Sequence, residues 1–183
     1  MIARRWVFLA GMATVLAACG VPIQSGSHFA SGWEPPGQTT FAWDDEADHT
    51  QGDVRLEDNA FFHARLHEAV EWELNMRGIR HSESNPTLRI HHHLSLADHE
   101  MEREVIDESG IRTSETEAYE GASVVLHIVD ARTGEDRWVA WAQANVEPAL
   151  TNPETMRKWV YDLVGEMFDD WAVRRGPWRT ESG

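Results

Sequence analysis

Cysteine is nearly missing from this chain. Its 183 residues include one, Cys19, so no intrachain disulfide can form and a disulfide-stapled scaffold is excluded. Basic residues are also scarce: 16 Lys and Arg face 31 Asp and Glu, for a formal charge of −15. A surface of that sign repels phosphate backbones, which argues against a nucleic-acid partner. No apolar run reaches the roughly 20 residues of a membrane-spanning helix. Gly-x-Ser-x-Gly, His-Glu-x-x-His and a phosphate-cradling glycine loop are all missing. With so many acids, carboxylate pairs are inevitable and carry no information. No catalytic residue is assigned, and the chain is not read as an enzyme.

What is present begins at the N-terminus. Arg4 and Arg5 precede an apolar run from Trp6 to Leu16, and Leu16-Ala17-Ala18-Cys19 follows. The run reads as a signal h-region. Its ending resembles the lipobox of bacterial lipoproteins, which implies a diacylglycerol and an N-acyl chain on Cys19 after removal of residues 1–18. Lipidation also explains a lone cysteine in an exported chain. Two or more acyl chains anchor a protein stably to a bilayer. Gly20 follows the cysteine where aspartate would favour inner-membrane retention, so the expected location is the periplasmic face of the outer membrane. Residues 19–37 are rich in Gly, Ser and Pro and read as a flexible tether, though Phe29 and Trp33 could dock.

Periodicity organises the rest. Thr39 to Trp43 is β-prone and leads into an acidic loop, Asp44 to Asp53. Phe62, Leu66, Ala69, Val70 and Leu74 recur at helical spacing. Asp58 or Asn59 can cap that helix, Gly78 suits a left-handed C-cap, and Arg77 complements the negative dipole end. After Asn85-Pro86 the period changes to two: Leu88, Ile90, His92, Leu94 and Leu96 share one face, Arg89, His91, His93 and Ser95 the other. Asp98 to Glu120 is acidic and is either an extended hairpin arm turning at Ser109-Gly110 or a mobile loop. Two more strands flank a turn at Arg132-Thr133-Gly134. On the first, Val124, Leu126 and Ile128 oppose Val125, His127 and Val129. On the second, Trp138, Ala140 and Ala142 oppose Val139, Trp141 and Gln143. A last helix is capped by Thr151 or Asn152, with Pro153 at N1 and an apolar stripe from Met156 through Val160, Leu163, Val164, Met167 and Phe168 to Trp171.

The expected fold is α+β: a two-layer sandwich of about four mainly antiparallel strands with two helices on one face. The expected organisation is a signal segment at 1–18, the tether at 19–37, one domain at 38–173 and a disordered tail at 174–183.

The stretch from Tyr119 to Gln143 resembles the bacterial lipoproteins of domain-of-unknown-function family 4136. Tyr119, Glu120, Asp130, Ala131, Thr133, Gly134, Trp138 and Ala142 carry the resemblance, which extends loosely over residues 38–172. Ala140 stands where the family often has glycine, His127 where it often has aspartate, and Phe168-Asp-Asp-Trp171 where it often ends in Phe-Pro-Pro. The resemblance implies an envelope location and this fold, and brings no catalytic residues.

Four histidines crowd "RIHHHLSLADHE", residues 89–100. His91 and His93 point the same way from one strand. A hairpin centred near Ser109 would set His91 opposite His127, with Ile90 opposite Ile128 and Leu94 opposite Val124, so that the apolar faces agree. The favoured reading is still histidines on a solvated sheet face, with His92 a hydrogen-bonded core residue and no cofactor or metal bound. The leading functional expectation is thus a lipid-anchored, non-catalytic binding or scaffolding module. Its candidate partner face is Val125, Val129, Val139 and Trp141, open to an envelope protein or a second copy. The alternative is metal or pH sensing through His91, His93 and His127.

Overall fold

The computed structural model describes residues 22–34, 39–44, 49–51, 54–106 and 111–174. The signal segment, Cys19, the hairpin tip at Ser109-Gly110 and residues 175–183 of the expected tail lie outside the described residues. The elements, in chain order, are β1 (Gln24–Phe29), β2 (Thr40–Trp43), β3 (His49–Gln51), α1 (Val54–Glu57), α2 (Ala60–Met76), β4 (Arg80–His81), β5 (Leu88–Ile106), β6 (Arg112–Asp130), β7 (Asp136–Asn145), α3 (Glu147–Leu150) and α4 (Pro153–Arg174). No helix among the described residues is long and apolar enough to cross a membrane.

The α+β class holds, but the sheet is larger than expected and mixed. It has seven strands in the order β1-β7-β6-β5-β2-β4, with β3 pairing on β5. The antiparallel centre is β5, β6 and β7. The parallel part is β2 on β5 and on β4, with β3 farther along the same edge of β5. Thr40 and Thr87 bind β2 to the start of β5: the Thr87 hydroxyl donates to the Thr40 carbonyl at 2.8 Å and accepts the Thr40 amide at 3.1 Å.

The expected tether is the second correction. Gln24–Phe29 is an edge strand, antiparallel to β7. Its register sets Ser27 opposite Ala140 and Phe29 opposite Trp138. Small side chains let α4 lie close against this edge, where the Ser27 hydroxyl meets Asp170 at 3.4 Å. Phe29 and Trp33 close the aromatic end of the core, with Trp171 edge-on to both at 5.3 and 6.0 Å.

Both long helices cover one face of the sheet. Phe62, Leu66, Val70 and Leu74 of α2 and Val160, Leu163, Val164 and Phe168 of α4 share one core with Ile90, Leu94, Leu126, Trp138, Ala140 and Ala142. Asn59 Oδ1 accepts the Phe62 amide and caps α2. Gly78 (φ +79°) ends it in a Schellman motif: the Ile79 amide donates to the Leu74 carbonyl and the Gly78 amide to that of Asn75. Asn152 Oδ1 caps α4 through the amides of Glu154 and Thr155. The single turns α1 and α3 were not expected from the sequence.

The β6–β7 turn rests on Asp130. Its Oδ1 accepts the amides of Arg132 and Thr133, both at 3.0 Å, Gly134 takes φ +71°, and Arg137 donates to Oδ2 at 3.0 Å. Arg137 above all, then the two amides, hold the Asp130 carboxyl at about 2, below its ordinary 3.8. A lowered folded-state pKa stabilises above the unfolded value and is lost as pH falls through the folded one. Asp130→Asn keeps the amide acceptor and removes the charge. Its melting temperature should therefore fall less steeply than the parent's between pH 4 and 2, which thermal scans across that window will check.

Candidate functional site

The β5–β6 ladder has the register expected for the hairpin: His91 pairs with His127, Ile90 with Ile128 and Leu94 with Val124. The acidic stretch is thus a ribbon, not a loop, along its described length. Strand alternation then sends His92 inward and its neighbours outward.

On the outer face three imidazoles meet. The His91 and His127 rings stack at 4.8 Å and 6°, and His93 stands edge-on to both, at 5.4 Å from His91 and 5.1 Å from His127. One nitrogen from each lies within 4.8 Å of the others, and all three side chains are half-buried. His127 Nδ1 donates to Asp136 Oδ1 at 3.0 Å. That bond fixes the ring and leaves its Nε2 as the lone-pair nitrogen when the imidazole is neutral. Asp136 begins β7, where the β6–β7 ladder shifts register between Ile128 and Val129. The backbone of His49 in β3 stands beside His93.

Along the same face, Trp141 is 42% exposed, between half-buried Val125 and Val139. Its indole lies over Gly26 of β1, where a Cβ would come within 2.9 Å of Nε1. Val129 departs from the expected partner face, because it is buried at 9% exposure where the ladder shifts. Farther along, His99 stacks on Tyr119 at 5.5 Å, accepts from Gln143 Nε2 at 3.2 Å and lies over Gly121. The sequence reading did not single out this His99 cluster. Its only signal was a glycine in a strand, which marks close approach by another group.

A second histidine group lies under the helices. His92 is buried, with its Nε2 3.2 Å from Nδ1 of His63 on α2. The hydrogen-bonded core role expected for His92 is what the structure has. One turn on, His67 stacks flat on Trp43 at 3.7 Å and 7°, while Trp43 Nε1 donates to Glu71 at 3.1 Å. The His63-x-x-x-His67 spacing was legible as one helix face but had not been connected with His92. These rings sit between sheet and helix and serve packing. Beside them an open groove runs along α2, lined by His67, Glu68, Glu71, Trp72 and Tyr161. Burial, then Glu68, raises the Tyr161 phenol above its usual value.

Among curated proteins, none matches this chain. Solved structures resemble it only distantly. A PDZ domain protein from Parabacteroides distasonis is 16% identical, with a TM-score of 0.47, over 79% of this chain and 36% of its own. The chain therefore spans about a third of that protein. The PelC dodecamer from Paraburkholderia phytofirmans is 8% identical, with a TM-score of 0.47, over 80% of this chain and 95% of its own. At the level of sequence, residues 34–171, from before β2 to near the end of α4, match one family model, and the chain belongs to that family, DUF4136, a domain of unknown function.

Proposed function

We propose that this chain is a lipid-anchored protein of the cell envelope, held by acyl chains on Cys19 at the periplasmic face of the outer membrane. It works there as a non-catalytic module that binds a protein through the outer face of its sheet. The carrying observation is Trp141: a large indole 42% exposed over Gly26 and flanked by two half-buried valines. Aromatic anchors with apolar surrounds dominate protein interfaces. The excess of acids makes nucleic acid an unsuitable ligand.

The test is photo-crosslinking in cells from position 139, with position 169 on α4 as the control face. A discrete adduct from 139, lost in Trp141→Arg with the melting temperature unchanged, is the expected result. An adduct of two chains would make the partner a second copy. Equal adducts from both positions, or none from 139, would overturn the binding face. For the anchor, labelled palmitate should enter the parent and not Cys19→Ser, and the variant should leave the membrane fraction. A parent that takes up no label would end that part of the proposal.

A further inference from the structure

We infer that His91, His93 and His127 form a binding site for a divalent transition-metal ion of the Zn2+ class. The inference does not depend on the lipid anchor or on a protein partner. Three features carry it. First, the ligand set is neutral imidazole, which suits zinc, copper and nickel and does not suit magnesium or calcium. Second, the set is assembled on the rigid centre of the sheet. His91 and His93 are two residues apart on β5, and His127 is the direct cross-strand partner of His91 on β6.

Third, the cluster has an outer support. A ligating histidine typically donates its second ring nitrogen to a carboxylate, which sets the tautomer and raises ligand basicity. Asp136 already does this for His127 at 3.0 Å. Histidines that merely decorate a solvated face need no such partner.

The geometry also says how far the site must close. Tetrahedral zinc, with Zn–N near 2.0–2.1 Å, holds its ligand nitrogens roughly 3.3 Å apart. The three nitrogens now lie within 4.8 Å, so side-chain rotation of about 1.5 Å at the widest pair suffices. Three protein ligands leave a fourth position for water or for an incoming donor.

The experiment uses the full chain with Cys19→Ser throughout, so that no thiol competes, stripped with chelator and titrated with Zn2+ alone by calorimetry. One ion per chain is expected for this parent and for the controls His81→Ala and His99→Ala. Asp136→Asn, which leaves all three ligands in place, should bind about 10–100-fold more weakly. His91→Gln and His127→Gln should lose the stoichiometric site. Zn2+ should raise the melting temperature of the parent and not of these two, since only a ligand bound to the folded state stabilises it. Melting curves without metal confirm that each variant folds. No saturable binding by the parent, or the same binding in the glutamine variants as in the controls, would overturn the site.

Discussion

Trp138→Ala should unfold at a melting temperature roughly 10 °C below the parent, or more. Trp138 is wholly buried at the centre of the aromatic end of the core. Its ring meets Phe168 at 4.7 Å, Trp171 at 4.9 Å and Phe29 at 6.1 Å. Truncating a buried tryptophan costs about 3–5 kcal/mol, because the transfer free energy is lost and the walls collapse only in part. In a domain of this size each kcal/mol moves the melting temperature by about 2–4 °C. The same site offers a sharper comparison. Trp138 Nε1 is buried with no hydrogen-bond partner among the described residues. Trp138→Phe removes that donor while keeping most of the ring, and an unmet buried donor costs about 1–3 kcal/mol. The phenylalanine variant should therefore recover most of the alanine loss. Equal losses in the two variants would mean that the indole's outer ring alone carries the packing.

Arg77→Ala should cost about 2–4 kcal/mol, read from the urea midpoint at unchanged m-value. The side chain is only 11% exposed. One guanidinium nitrogen binds the Glu73 carbonyl at 2.9 Å and pairs with the Glu73 carboxylate, and the other donates to the Phe168 carbonyl of α4 at 2.9 Å. The guanidinium plane also sits 4.9 Å from the Phe168 ring and 5.9 Å from that of Trp171. A charge-assisted bond in such a setting contributes about 1.5–3 kcal/mol, and a cation over an aromatic face about 0.5–2 kcal/mol. The contributions overlap and do not add. Removing the cation also strands the Glu73 carboxylate, 16% exposed, without its partner. Arg77→Lys should recover less than half, since lysine has no planar fork to reach Glu73 and Phe168 together.

These two residues also show what the sequence could and could not convey. Trp138 was legible as an inward residue because strand alternation places it with Ala140 and Ala142. Arg77 was legible only as a favourable charge at a helix end. Its hold on α4 depends on a contact 91 residues away, which no local pattern encodes. The long ladder was readable to the residue, since a one-residue slip would have turned every apolar side chain outward. The parallel pairings were not, because β2 and β3 are short and their partners on β5 are fixed by tertiary contacts. Strand β1 was missed for a physical reason: "QSGSHF" holds serines and a glycine where apolar alternation would announce a strand. Two of those small residues serve neighbours, Ser27 beside Asp170 of α4 and Gly26 under Trp141. The histidine cluster was foreseen residue by residue as an alternative, whereas Asp136 beside it was not. The register shift that accompanies it lies next to the turn, where no local pattern marks it.

Beyond the pairing of Gly121 with Asn145, the β5–β6 ribbon has no third strand among the described residues. It runs on from Asp98 and Glu120 to Ile106 and Arg112, roughly 25–30 Å at about 3.4 Å per residue. Two such ribbons could zip together along their bare amide and carbonyl edges, as unprotected strands do in fibres. Exposed Asp98, Glu100, Glu102, Glu104 and Glu115 stand in the way. A ribbon approaching side-on meets the same sign of charge at each step, and burying those carboxylates against one another costs more than the new backbone bonds return. The excess of acids thus acts as a guard against fibre growth, and high salt would lower it.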